Sequence, residues 1–151
     1  MKDEVKTILE GVLVALGFPG CAVSLREGEG FEEPWTCDIF TAEPALLIGP
    51  AGRHLDALER LFRVILSRRS DSPPYVRLDI NHYRKEREEW LRTLARKVAR
   101  DVSRKKQPIL LKPLAAAERR IIHVELASHP DVITESQGEE PKRLLIKPFQ
   151  I

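Results

Sequence analysis

The sequence predicts an α+β fold in two small modules. Residues 1–80 read as α-β-β-α-α-β, and residues 81–151 read as a long helix, a short strand, a helix and a β-hairpin. Three observations carry this reading. Apolar residues switch repeatedly between the 3.6-residue period of a helix and the 2-residue period of a strand. At 151 residues the chain has the length of one ordinary domain or two very small ones. Charge is also segregated. Residues 1–80 hold 9 Lys and Arg against 13 Asp and Glu, a net of −4, while residues 81–151 hold 16 against 10, a net of +6.

In the first half, Val5, Ile8, Leu9, Val12 and Leu16 recur at helical spacing from Lys2 to Leu16, and Gly17 stands at the C-cap position. Cys21, Val23 and Leu25 share one face of a strand, and Trp35, Cys37 and Ile39 share one face of the next. The Glu/Gly-rich segment Glu27 to Pro34 joins them as a hairpin. A short helix at Leu46 to Ile48 leads through Gly49-Pro50-Ala51-Gly52 into a second helix with Leu55, Leu58, Leu61, Phe62, Ile65 and Leu66 on its apolar side. Tyr75 to Ile80 alternates as a strand.

The second half opens with a helix over His82 to Lys105, with Asn81 as its N-cap candidate and a stripe of Leu91, Leu94, Ala95, Val98 and Val102. Arg92, Arg96, Arg100 and Arg104 recur at steps of four, which aligns them as a basic ridge. Ile109 to Lys112 reads as a short strand and Ala115 to Ala127 as a helix. Val132 to Gln137 and Arg143 to Lys147 form a hairpin around Gly138-Glu139-Glu140-Pro141.

The composition narrows the function classes. With 42% hydrophobic and 32% charged residues the chain is globular rather than disordered. No apolar run reaches the roughly 18 to 20 residues of a membrane span, and Met1-Lys2-Asp3-Glu4 does not begin a secretory signal, so a cytoplasmic protein is expected. Cys21 and Cys37 lack metal-site spacing and are expected to be reduced, buried thiols. His54, His82, His123 and His129 are scattered, so neither catalysis nor a cofactor is expected. Trp35 and Trp90 sit in patterned elements and are assigned to the core or its margin. With aromatics at only 6%, recognition of a polyanion would rest on phosphates and backbone, with little sequence preference.

Two motifs carry chemistry. Glycines at both ends of Gly49-x-x-Gly52 let backbone approach a ligand, and the helix that follows presents N–H groups to an anion; an ordinary turn has the same pattern. Arg119 and His123 stand at i and i+4 on one helix face, where a guanidinium fork can hold a phosphate and an imidazole can donate to it or stack on a base.

The order helix, strand, strand, helix, G-x-x-G, helix, strand resembles the type II KH domain, whose loop clamps single-stranded RNA, and Leu46-Leu47-Ile48-Gly49-Pro50-Ala51-Gly52-Arg53 matches its motif. Such loops usually carry Lys or Arg between the glycines. Here Pro50-Ala51 leaves the local charge to Arg53 and His54, which keeps open a protein-docking role for this half. Glu118-Arg119-Arg120-Ile121-Ile122-His123, followed by Ser136-x-Gly138-x-x-Pro141-x-Arg143, resembles the Arg-x-x-x-His (R-three-H) domain, which binds single-stranded nucleic acid.

Together, over residues 1–150, the halves resemble the bacterial Jag family, also called KhpB or SpoIIIJ-associated proteins, without the N-terminal Jag domain and linker of many members. The resemblance implies that Arg119 and His123 face the ligand. Arg143 would lie on the strand behind Pro141, with Lys142 and Lys147 extending a basic surface; the ridge of Arg92, Arg96, Arg100 and Arg104, read from its spacing, is expected to add phosphate contacts. The resemblance further implies an RNA chaperone acting on single-stranded RNA, or single-stranded DNA. Such a protein would pair with a small single-KH protein like KhpA and influence cell-wall homeostasis and cell elongation.

Overall fold

The computed structural model describes residues 1–30 and 32–150. Phe31, within the predicted Glu27–Pro34 connection, and Ile151, at the end of the second predicted module, lie outside the described residues. The chain divides into two compact units, Met1–Arg84 and Lys85–Ile151, each with its own core.

The N-terminal unit has the expected α+β order: α1 (Lys2–Ala15), β1 (Ala22–Arg26), β2 (Trp35–Phe40), α2 (Pro44–Ile48), a 3-10 turn (Pro50–Gly52), α3 (Arg53–Arg69) and β3 (Val76–Ile80). α1 carries Asp3 and Glu4 in its first turn, where carboxylates favour the helix dipole. It ends as its glycine predicts. Gly17 has φ +92°, Phe18 N–H donates to Leu13 O and Gly17 N–H to Val14 O, which satisfies the last carbonyls. β1 and β2 run antiparallel with Leu25 opposite Cys37, and β2 and β3 run parallel with Cys37 opposite Leu78. One face of this sheet buries Val23, Leu25, Cys37, Ile39, Val76, Leu78 and Ile80 against Leu9 and Leu13 of α1 and Leu55, Phe62 and Leu66 of α3.

Among the described residues no strand neighbours the outer edge of β3, and side chains occupy its polar groups instead. Glu59 accepts from Leu78 N–H at 2.9 Å, Arg84 Nε donates to Leu78 O at 2.9 Å, and Arg63 Nε donates to Val76 O at 2.8 Å. Glu59 also pairs with Arg63 and Arg84. The edge is thereby satisfied from α3 and from the start of the next helix, which removes a template for strand addition.

The C-terminal unit contains most of α4 (Tyr83–Lys105), then β4 (Ile109–Leu110), α5 (Ala116–Leu126), β5 (Val132–Gln137) and β6 (Arg143–Pro148). Its sheet order is β4-β6-β5, antiparallel throughout. Leu91, Ala95, Val98 and Val102 of α4 meet Ile122 and Leu126 of α5 and Val132, Leu144 and Ile146 of the hairpin in one core.

Four sequence expectations are corrected. Asn81 does not cap α4: it has φ +48°, and its side chain bridges to Thr41, accepting from its N–H at 3.0 Å and donating to its O at 2.9 Å. Asp79 takes the helix start instead, accepting from Arg84 N–H at 3.2 Å. Leu61 is 46% exposed, because the buried stripe of α3 runs through Leu55, Leu58, Phe62 and Leu66 and leaves Leu61 on its flank. Trp90 is 52% exposed, one helical step off the Leu91 stripe, with the Arg87 guanidinium 4.5 Å above its ring. Cys37 is buried as expected, but Cys21 is only half-buried.

Candidate nucleic-acid interface

The Gly49–Gly52 loop is a backbone structure. Gly49 has φ +71° and ψ 179°, a combination open essentially to glycine alone. A Cβ built there would lie 2.3 Å from the His54 ring. Gly52 is left-handed at φ +78°, and a Cβ there would lie 2.9 Å from Tyr83 Cε1. Between them Ala51 is also left-handed, at φ +52°. Both glycines are therefore required by close neighbours as well as by their torsions. His54 is part of the loop's scaffold, hydrogen bonded through Nδ1 to Leu46 O at 2.8 Å. Arg53 is exposed and has no ion-pair partner among the described residues. No side chain among the described residues caps the N-terminus of α3, so its first N–H groups remain available to an acceptor.

The Arg119–His123 site is built from side chains. α5 places both residues on the face turned to the β5–β6 hairpin, and an open groove of about 350 Å³ runs there, lined by Ala116, Arg119, Arg120, His123, Thr134, Ser136 and Leu144. His123 is exposed, and its Nδ1 is hydrogen bonded to Thr134 Oγ1 at 2.6 Å, which holds the ring in the groove. Thr134 and Ser136 are two apart on β5 and so share a face.

Arg119 differs from an open ligand. It is 8% exposed. Its Nη1 donates to Leu114 O and Lys142 O, and its Nη2 donates to the Glu140 carboxylate at 3.1 Å. That hydrogen bond is the main reason why the Glu140 carboxyl is held below the usual glutamate value; the guanidinium's charge and the Lys142 N–H add to it. Arg119 thus ties α5 to the segment before it and to the hairpin turn.

The other predicted cations fall into two groups. Arg92 pairs with Glu88, Arg96 with Glu125 at 2.8 Å, Arg104 with Asp101 at 3.5 Å, and Lys147 with Glu135 at 2.9 Å, so most of the ridge is locally neutralised. Arg100 and Arg143 are exposed and have no ion pair among the described residues. Lys142 is half-buried, and its backbone carbonyl serves the turn. Sequence reasoning missed Thr134, Arg120 and Glu140 as parts of this site. The strand alternation that pairs Thr134 with Ser136 was the available signal. No group of three or more His, Cys, Asp or Glu side chains among the described residues is arranged to hold a metal.

The family model of the R-three-H domain matches residues 89–146. The chain is 34% identical over 146 residues to the RNA-binding protein KhpB of Clostridium symbiosum, a match covering 97% of this chain and 65% of that protein. It is 39% identical over 104 residues to the RNA-binding protein KhpB of Bacillus subtilis, covering 68% of this chain and 50% of that one. With KhpB of Lactiplantibacillus plantarum it shares 36% identity over 111 residues, 74% of this chain and 34% of the relative. The chain therefore spans between about a third and two thirds of the length of these relatives.

Proposed function

The chain belongs to the KhpB family of proteins with an R-three-H domain, and from that premise we propose that it binds single-stranded RNA, principally through its C-terminal unit. The observation that carries this reading is the open groove between α5 and the hairpin, with His123, Thr134 and Ser136 along it, in the half of the chain with net charge +6. Imidazole and hydroxyl groups donate to phosphate or base edges, and the exposed Arg100 and Arg143, unpaired among the described residues, supply positive charge. The G-x-x-G loop adds a second, backbone-built contact for the strand. Its weaker charge makes it the junior one. Single-stranded DNA is the competing ligand, and the 2′-hydroxyl is the group by which a site tells the two backbones apart.

Affinity for an unstructured RNA should fall steeply with salt, because each neutralised phosphate releases counterions. His123→Ala should weaken binding by about tenfold at every salt concentration, in line with loss of a charged-group hydrogen bond. Fluorescence anisotropy across a salt series measures both, and equal affinities of parent and variant throughout would remove His123 from the interface. An RNA-chaperone activity in the cytoplasm, pairing with a KhpA-like single-KH protein, and an influence on cell-wall homeostasis and elongation complete the reading; these rest on family membership. No described helix is long and apolar enough to cross a membrane.

A specific observation favours a second reading for the N-terminal unit, as a protein-docking module. Leu16, Leu46 and Leu61 are 48%, 64% and 46% exposed around an apolar groove of about 310 Å³ that also includes Phe18 and His54. Leu46→Asp tests it without touching the loop glycines. Loss of KhpA-like partner capture with RNA affinity intact supports docking.

A further inference from the structure

We propose that Arg120, rather than Arg119, is the arginine of α5 that contacts the RNA backbone, and that the strand crosses α5 at Arg120 to place a base in a second groove, between α4 and α5. The inference rests on the RNA-binding reading above and extends it in space.

Two neighbouring arginines on α5 have opposite circumstances. Arg119 is 8% exposed, and its guanidinium already serves two carbonyls and the Glu140 carboxylate. A phosphate reaching it would have to displace acceptors built into the fold. Arg120 is exposed and makes no hydrogen bond or ion pair among the described residues. Its five donors are unspent, and its planar fork suits a phosphate.

Arg120 also stands on the wall between two depressions. On one side is the groove of His123, Thr134 and Ser136. On the other is a larger groove of about 550 Å³, lined by Arg92, Ala117, Arg120, Ile121 and Val124 together with Ala116 and Glu125. Helical geometry requires this placement: Arg119 and His123 share one face, and Arg120 and Val124, one step on, share the next.

The second groove has the chemistry of a nucleotide subsite. Its floor is apolar, with Val124 63% exposed, and an apolar floor accepts the face of a base. Its rim holds two guanidinium groups, complementary to the flanking phosphates. Its one acidic group among the described residues, Glu125, is neutralised by Arg96 at 2.8 Å, and Arg92 is paired with the exposed Glu88 one turn earlier on α4. A strand lying in both grooves crosses α5 at Arg120 with a phosphate over its side chain.

The test uses the full chain with a short oligouridylate, read by anisotropy over a salt series and by methyl NMR. Arg120→Ala should weaken binding about tenfold and lower the slope of log affinity against log salt by about 0.7, the value for one lost single-strand phosphate contact. In the parent, the methyl groups of Ile121 and Val124 should shift on RNA addition along with Thr134. Arg119→Lys, which keeps the charge but not the three-acceptor fork, should chiefly lower the melting midpoint reported by Trp90. Binding by Arg120→Ala equal to the parent at every salt overturns the assignment. So do unmoved Ile121 and Val124 methyls in an RNA-saturated parent, a measurement that needs no variant to fold. If the folded parent binds no oligouridylate and His123→Ala changes nothing, the RNA-binding reading fails as well; weakening by His123→Ala alone leaves that reading intact and removes only this one.

Discussion

The candidate sites of the two units are built from different materials. In the N-terminal unit the candidate site is backbone: Gly49 and Gly52 hold torsions that side chains resist, His54 and Tyr83 pack where their Cβ atoms would be, and no cation lies between them. In the C-terminal unit the site is side chain: His123, Thr134 and Arg120 project into a groove whose backbone is ordinary helix and strand. A backbone site is all or nothing, because its geometry is also its fold. A side-chain site is modular, and single residues can be removed while the scaffold stays. That contrast sets the size of each substitution's effect.

The largest effect belongs to Gly49→Ala. A methyl group 2.3 Å from the His54 ring, at φ +71° and ψ 179°, combines torsional strain with overpacking. Together these should destabilise the N-terminal unit by about 3 kcal/mol. Gly138→Ala is the matched control in the other unit. Its φ is +86°, but nothing lies within 4 Å of the new Cβ, so only the torsional cost of about 1 kcal/mol applies. The chain has two tryptophans, Trp35 in one unit and Trp90 in the other, so Trp90→Phe and Trp35→Phe backgrounds report each unit's unfolding separately. Comparable losses from the two glycine substitutions would break the contrast between packed and open turns.

A smaller effect is expected from Glu140→Gln, and it depends on pH. The Arg119 hydrogen bond holds the Glu140 carboxyl below its ordinary value of 4.5 in the folded protein. A carboxyl depressed by folding stabilises the fold above its unfolded value and loses that contribution as pH falls through the lowered folded value. The Trp90-reported stability of the parent should therefore fall on acidification below the ordinary glutamate range. Part of that fall should be missing in Glu140→Gln, while the Trp35-reported curve is the same in both. Identical acid profiles at Trp90 would show that the turn is held without the carboxylate.

Most of the fold was legible because it is written in local periodicity. The stripe of α4, the alternation of β1 to β3 and the Gly17 cap need only neighbours in sequence, and each element lies within a residue or two of its expected bounds. The site was legible only in part. Spacing of i and i+4 shows that Arg119 and His123 share a face, but not how deep each lies. The depth of Arg119 is set by Glu140 and the Lys142 carbonyl, more than twenty residues on, which the hairpin register brings back to α5. The same non-locality misled the reading of Asn81, whose partner Thr41 is forty residues earlier. The basic ridge, read from arginines alone, overlooked the acidic partners of Arg92, Arg96 and Arg104.

The division of labour between the units is open to a test in which the smallest change is expected. Both cysteines lie in the N-terminal unit. Cys21 is half-buried and should react readily with a thiol reagent. Cys37 is fully buried, and burial, with the Asp38 carboxylate beside it, pushes its thiol up to about 12, so it reacts only when the core of α1, α3 and the sheet opens. Its modification rate is thus a gauge of opening in one unit alone. A ligand that grips the Gly49–Gly52 loop must stabilise the closed form and slow Cys37 in proportion to the occupancy it adds. A ligand held by α5 and the hairpin leaves the first core as it was. Saturating RNA should therefore slow Cys37 only slightly, as a junior contact at the loop does, while it shifts the His123 and Thr134 resonances. Strong protection of Cys37, as large as the ligand's full binding free energy allows, would instead make the glycine loop a principal contact, and a backbone cradle without its own cations would then be sufficient to hold the strand.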